Sequence, residues 1–537
     1  MRVQAKSRLF CFFLSLLAAA GWSSDCHAAP QNQRPLPTPI DRNVDLVIDE
    51  LTRRGFEVSQ GYFRLYTLND CKVSFEVMQS CYGNNPAAPY VTFAVLPWEG
   101  EEFLDPATRN AIGLLEEGYT GTFRFDPKEA VVVFGRMPPP AAYFGLQTYL
   151  FTREGSFHTE SDTYKWIAKY LPKTLDAFFT YVPNTDEKRI QMFASIGNSN
   201  NDVIVKEQAG SAFNQERFFI STPDRLMDEA VRSALAAVSV DPRHVFTEPI
   251  PTTLEEGDSG MKVGLGAGAD EFLFVMRYAM PNDGGGPGSP SDRWQEDLPL
   301  TVLRVRDTSG RAAQPYYPPV ILDERKAVDE SPLVADLTRL VAAVNERWGQ
   351  PCATGNCSDR AVDFIDLQGS PVNLVGPECT KIGMNCIGDN QDTTYQMTAD
   401  FLLDTGYVYA VAGTLGTRTG NATYVGLSVN DSHLIKGVAN IDTDRLRNTA
   451  SAYAADLTNP SKFYLVYLAR NCGAIDDLTD GNCFEVTTDM LPVCTDLDDP
   501  DCHPLKLIQR EYVSKGTARG PDSTLLLPPK LIRLQQP

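Results

Sequence analysis

Apolar residues along this chain change their spacing repeatedly, from every third or fourth position to every second one. Helical spacing comes first. Val44, Val47, Ile48 and Leu51 would line one face of a helix, with Asp41 placed as its cap and Gly55 as its stop. Asp105-Pro106 predicts a second helix running through Leu114 and Leu115. A third is capped at Thr222-Pro223, buries Met227, Val231, Leu235 and Val238, and ends at Asp241-Pro242. A fourth runs from Ser331-Pro332 to Trp348, with Leu333, Leu337, Leu340, Val341 and Val344 on one side and Gly349 closing it.

Between these helices lie runs rich in β-branched and aromatic residues, which read as strands. They are Phe123 to Phe125, Val131 to Phe134, Tyr143 to Phe151, Phe218 to Ile220, Val245-Phe246, Phe272 to Met280 and Leu300 to Arg306. Phe218 to Phe246 reads as one β–α–β unit. Pro281 to Pro299, with Gly284-Gly285-Gly286-Pro287-Gly288, reads as a hairpin excursion between its flanking strands. Further on, Tyr407 to Leu415 and Ala422 to Val429 predict a hairpin, and Phe463 to Ala469 another strand. The fold class expected is α+β: mixed sheets with capped helices over residues 41–307, then a β-rich, disulfide-stapled part over 320–537. The aperiodic stretch Thr308 to Pro319 marks the boundary. Tyr143, Phe144, Tyr149 and Phe151 fit either a buried strand or a sugar-stacking platform.

The N-terminus changes the picture of where this chain works. Arg2, Lys6 and Arg8 precede an apolar stretch from Leu9 to Ala20, and small residues allow cleavage after Ala28, so residues 1–28 read as a signal peptide. No run reaches the ~18–20 apolar residues of a membrane span. Of 12 cysteines, Cys11 and Cys26 leave with the leader. The others fall in close couples: Cys71/Cys81, Cys352/Cys357, Cys379/Cys386, Cys472/Cys483 and Cys494/Cys502. Nearest-neighbour disulfides are expected, each worth roughly 2–3 kcal/mol for a ~10-residue loop. Zinc is the poorer reading, since no couple has Cys-x-x-Cys spacing and histidines are scarce. The net charge of −21 argues against a nucleic-acid partner. Asn356, Asn421 and Asn430 head glycosylation sequons, which matter only in a eukaryotic secretory pathway.

Candidate chemistry is sparse. Gly257-Asp258-Ser259-Gly260 resembles the segment around the nucleophile of trypsin-like serine proteases, over these four residues only. The resemblance implies Ser259 as nucleophile, with nearby backbone amides as its oxyanion hole. His244 is the candidate base, though Asp241-Pro-Arg-His244 departs from that family's histidine context, and Met261 stands where the family has a second glycine. A polar turn is the other reading. Around Ser199, the run Gly197-Asn198-Ser199-Asn-Asn201-Asp202 resembles the opening block of the GDSL/SGNH hydrolases, with Asn198 in place of aspartate. Turn composition explains it equally.

Gly264-Leu-Gly266-Ala-Gly268 leads into a strand and so reads as a β-turn instead of a phosphate loop. Two acidic runs sit inside cysteine couples. Asp496, Asp498, Asp499 and Asp501 form one; Asp476, Asp477 and Asp480 form the other. They suit either calcium or plain solvation, and neither has EF-hand spacing. No other cofactor is expected. The chain thus reads as a secreted or periplasmic protein that binds an extracellular ligand or acts at a surface. A secreted hydrolase, serine-based or using a carboxylate pair, and a calcium-stabilised structural or adhesive module are the alternatives.

Overall fold

The computed structural model describes residues 39–536 apart from 103–107, 171, 173–174, 182–187, 253–259, 317–321, 353–356, 358–359, 370–371, 405 and 500. The leader, the Asp105-Pro106 cap, Ser259 and Asn356 lie outside the described residues. The fold is mixed α/β with several sheets.

Ten strands form the largest sheet. Its order is Arg189–Ser195, Ala141–Glu154, Glu271–Pro281, Tyr90–Ala94, Glu57–Leu65, Leu300–Arg306, Glu129–Arg136, Glu216–Thr222 and Val245–Pro249, with Asn200–Asn201 also paired on Ala141–Glu154. Neighbours are antiparallel except the last pair, which is parallel and completes the expected β–α–β unit. Glu57–Leu65 joins the two halves of the sheet, changing partner along its length. Residues up to Gly61 pair with Leu300–Arg306, and those from Tyr62 pair with Tyr90–Ala94. Gly61 permits this because a Cβ there would stand 2.2 Å from the Ala94 carbonyl oxygen.

Both arms contribute to one core, Val131, Val133, Val302 and Phe219 from one and Phe93, Phe144, Leu146 and Phe274 from the other. Helices Pro39–Arg53 and Arg225–Ala237 set Val47, Leu51, Met227, Val231 and Leu235 against Ala130, Val132, Phe218 and Leu303. Each large side chain buried in this way contributes about 1.5–3 kcal/mol before entropy is counted.

Two five-stranded sheets follow. One runs Ala361–Asp363, Lys530–Gln535, Tyr407–Thr414, Phe463–Ala469, Cys483–Glu485. The other runs Ile365–Asp366, Thr393–Met397, Leu505–Tyr512, Tyr424–Asp431, Lys436–Asp442. They share a core in which Val411, Val466 and Leu468 of the first meet Val425, Leu427, Leu505 and Leu507 of the second. Helix Val334–Arg347 covers the first sheet's other side, packing Leu337, Leu340 and Val344 against Val408, Ala410, Leu465 and Ile532. The second sheet's far side meets the ten-stranded sheet through Tyr512, whose ring lies 4.8 Å from that of Tyr143.

All five cysteine couples close as disulfides with their nearest neighbours: Cys71–Cys81, Cys352–Cys357, Cys379–Cys386, Cys472–Cys483 and Cys494–Cys502. Among the described residues, no helix is long and apolar enough to cross a membrane. Tyr143, Phe144, Tyr149 and Phe151 are core residues, each 0% exposed, and not a platform.

Three expected elements differ. Where a helix was expected to reach Leu115, the described chain makes a single 3-10 turn, Thr108–Asn110, and Leu114 is exposed. Glu271–Pro281 and Leu300–Arg306 are not hairpin neighbours. Two strands separate them, and the connection carries helix Pro290–Asp297, anchored by Trp294, whose indole N–H donates to the Arg136 carbonyl at 2.8 Å. Tyr407–Thr414 and Tyr424–Asp431 lie in different sheets, facing across the shared core, with the short helix Gly416–Thr419 between them.

Candidate functional site

Ser199 lies in the interior, where the ten-stranded sheet meets the chain beyond residue 388. After strand Arg189–Ser195 the backbone passes through Asn200–Asn201, and Asn201 then caps helix Asp202–Ala209, accepting from the amides of Val203 and Ile204. Asp389-Asn390-Gln391-Asp392 packs against this segment. The Ser199 hydroxyl donates to Asp392, the Asn201 amide donates to the same oxygen at 2.9 Å, and the Tyr143 hydroxyl donates to the other at 2.8 Å.

Ser195 repeats the arrangement. It donates its backbone N–H at 2.6 Å and its hydroxyl at 2.5 Å to Asp389. Gln391 links the Ser195–Asp389 pair to two cations, its amide nitrogen donating to Ser195 Oγ at 2.7 Å and its carbonyl accepting from Arg325 and Arg519. Burial pushes both aspartates upward, against the pull of their donors and of Arg277 and Arg325. Burial, then the neighbouring Arg325, pushes Arg519 down to about 10. Ser199 is 5% exposed, and its hydroxyl faces a carboxylate, not an imidazole. A serine held this way organises buried charge.

The segment containing Ser259 is not described, but its ends are. Thr252 and Met261 form a parallel bridge, and the Met261 amide donates to the Pro251 carbonyl at 2.7 Å. Beyond it, Asp270 accepts from Arg153 at 2.9 and 2.6 Å and from the Lys262 amide at 2.8 Å, so the backbone at Lys262 is held by a buried carboxylate. These pinned ends border a cavity of about 340 Å³. Pro127, Pro223, Pro315, Met261 and Val263 give it apolar walls, and Thr252 and Lys262 are its polar members. The Thr252 hydroxyl is buried and has no hydrogen-bond partner among the described residues. An apolar-walled recess with a threonine and a lysine among its lining residues suits a small molecule with an apolar body and an anionic end.

His244 ends a 3-10 turn, Pro242–His244, capped by Asp241. Burial, then the charge of Arg217, lowers its pKa. Its backbone amide donates to the Asp241 carbonyl at 2.9 Å. The 264–268 loop presents carbonyls: Gly266 accepts from Arg124 and Ala267 from Arg189, the reverse of a phosphate cradle.

Asp496, Asp498, Asp499 and Asp501 are exposed, and Asp496 and Asp499 accept from backbone amides two residues on. Asp476 and Asp477 are exposed in the turn Asp476–Thr479, while Asp480 pairs with Arg347. Among the described residues, no group of three or more His, Cys, Asp or Glu is placed to hold a metal ion. Asn421 and Asn430 are 0% and 2% exposed. Asn421 donates to the Val328 carbonyl and to Glu330, Asn430 to the carbonyls of Ser428 and Lys506.

Thr252, Lys262, Asp389 and Asp392 were not singled out by sequence reasoning. The polar run Asp389 to Asp392, which follows Ile387-Gly388 and leads into Thr393-Thr394, was the one local signal for the buried network.

No known protein family matches this sequence, and no curated protein is similar to it. Solved structures similar over most of its length include two uncharacterised or unassigned bacterial proteins. An uncharacterised protein from Burkholderia cenocepacia is 9% identical, with 93% of this chain and 94% of that one covered and a TM-score of 0.34. The VPA0106 protein from Vibrio parahaemolyticus is 10% identical, with 91% and 100% covered and a TM-score of 0.33.

Proposed function

We propose that this is an exported, disulfide-stapled binding protein that takes a small ligand with an apolar body and an anionic end at the cavity beside Thr252 and Lys262. The observation that carries the reading is the recess itself, where Thr252 and Lys262 stand among apolar walls. Export rests on the leader pattern of residues 1–28 and on five disulfides, which persist in oxidising compartments.

The test is thermal unfolding of the mature chain against a panel of small carboxylates with aliphatic or aromatic bodies. A ligand at 100-fold above its Kd adds about 2.7 kcal/mol and raises the Tm. The reading expects such a shift for at least one member, and its loss in Lys262→Ala and Thr252→Val. A panel without shifts, or shifts that survive both substitutions, would refute it.

A further inference from the structure

Two histidines distant in sequence meet at the end of a strand ladder. In the pairing of Tyr424–Asp431 with Leu505–Tyr512, the last register pair is Asp431 with Leu505. The Ser432 amide donates to the Pro504 carbonyl at 2.9 Å, which extends the same register by one step. One step further sets His433 opposite His503, and their ring centroids are 4.8 Å apart. His433 lies in the turn that follows Tyr424–Asp431 and His503 just before Leu505–Tyr512, and rings this close can both present a nitrogen to one small ion.

The surroundings orient the pair. Asp431, 3% exposed, accepts on one oxygen from the amides of His433 at 3.0 Å and Leu434 at 3.2 Å; its other oxygen lies 2.7 Å from His503 Nδ1. A carboxylate accepts, so Nδ1 is the nitrogen that carries the hydrogen in the neutral ring, which leaves Nε2 as the nitrogen able to bind a metal. The disulfide Cys494–Cys502 ends one residue before His503. Phe75 stands 6.0 Å from the His433 ring, and His433 itself is exposed, leaving room for water.

We propose that His433 and His503 form a binding site for a borderline divalent transition-metal ion, Zn²⁺ or Cu²⁺, with water in the remaining positions and Asp431 as the group that orients His503. Neutral imidazole nitrogen is a preferred ligand for these ions, and a carboxylate on the far ring nitrogen both fixes the tautomer and strengthens the ligand. The acidic runs inside cysteine couples lack this arrangement, since hard carboxylate oxygens suit calcium or magnesium better. The site is independent of the cavity beside Thr252.

The test is calorimetric titration of zinc chloride into the full mature chain at pH 7.5, free of any affinity tag and stripped with chelator. One equivalent should bind with micromolar affinity. His433→Ala and His503→Ala should each weaken binding at least about tenfold, and Asp431→Asn by about tenfold. At pH 5, where protons compete for imidazole, binding should be lost. His433 is exposed, so His433→Ala should melt as the parent does and gives the decisive comparison. No stoichiometric uptake by the parent, parental affinity in His433→Ala, or loss only when Asp496 and Asp498 are replaced by Asn would overturn the proposal.

Discussion

The Ser199 hydroxyl donates to the Asp392 carboxylate across 193 residues of chain, inside the body of the protein. Asp392 then has three neutral donors: Ser199, Asn201 and Tyr143. Ser195 and Asp389 repeat the motif close by, at a separation of 194 residues. Two serine–aspartate pairs therefore join strands of the ten-stranded sheet to the chain beyond residue 388.

If that pairing holds the two regions together, Ser199→Ala leaves Asp392 one donor short and should destabilise the protein by about 1–3 kcal/mol. Urea denaturation of the mature chain checks it. A change below about 0.5 kcal/mol, the range of ordinary surface substitutions, would count against the assignment.

The same burial bears on serine chemistry. A fluorophosphonate probe should leave Ser199 unlabelled in the folded protein, because the hydroxyl is enclosed and its proton is held by a carboxylate. Mass mapping after labelling gives the answer. A label on Ser199 would contradict its buried role, and labelling abolished by Ser259→Ala would favour the hydrolase alternative over the binding reading.

Glu511 carries a pH dependence. It is 2% exposed; one oxygen accepts from Gln509 at 3.1 Å, and the other has no partner among the described residues. Burial, then the charge of Glu330, holds its pKa well above the usual carboxylate range. A carboxyl whose pKa is raised on folding contributes fully below its unfolded value of ~4.3, and the contribution is lost as pH rises through the folded value. Glu511→Gln should therefore match the parent near pH 4 and exceed it in stability by roughly 1–3 kcal/mol near pH 8. Parallel stability curves for parent and variant across that window would contradict the assignment.

Asn421 and Asn430 give a simpler expectation. Their amides are buried and donate to backbone carbonyls, and Asn421 also to Glu330. Secretion from a eukaryotic host should yield protein without glycan at either position, read by peptide mass before and after glycosidase. Occupancy at Asn421 would mean that the Val328–Glu330 contacts do not form before glycosylation.

Helices Pro39–Arg53 and Val334–Arg347 were legible because one apolar stripe at helical period has one packing solution, a helix face on a sheet. The disulfides were legible because close couples with long gaps between them leave short loops as the economical pairing. Val411 and Val425 show where legibility stops. Period-two alternation buries both whether their strands lie edge to edge or face to face, and only the Gly416–Thr419 turn decides.

The site was less legible for a related reason. Ser199 was visible as a serine in a turn-like run, but its partner Asp392 has no local spacing that points to it. His433 and His503 come together through strand register, which no motif encodes. Thr252 and Lys262 are ordinary residues until three prolines from separate segments wall them in.

The central claim is that the cavity beside Thr252 and Lys262 binds a small molecule. It is tested most directly by photocrosslinking, with a diazirine analogue of the carboxylate that most raises the melting temperature and peptide mass mapping of the adduct. The account predicts adducts on Thr252, Met261, Lys262 or Val263, competed away by the parent carboxylate. Competable adducts confined to other surfaces would contradict it.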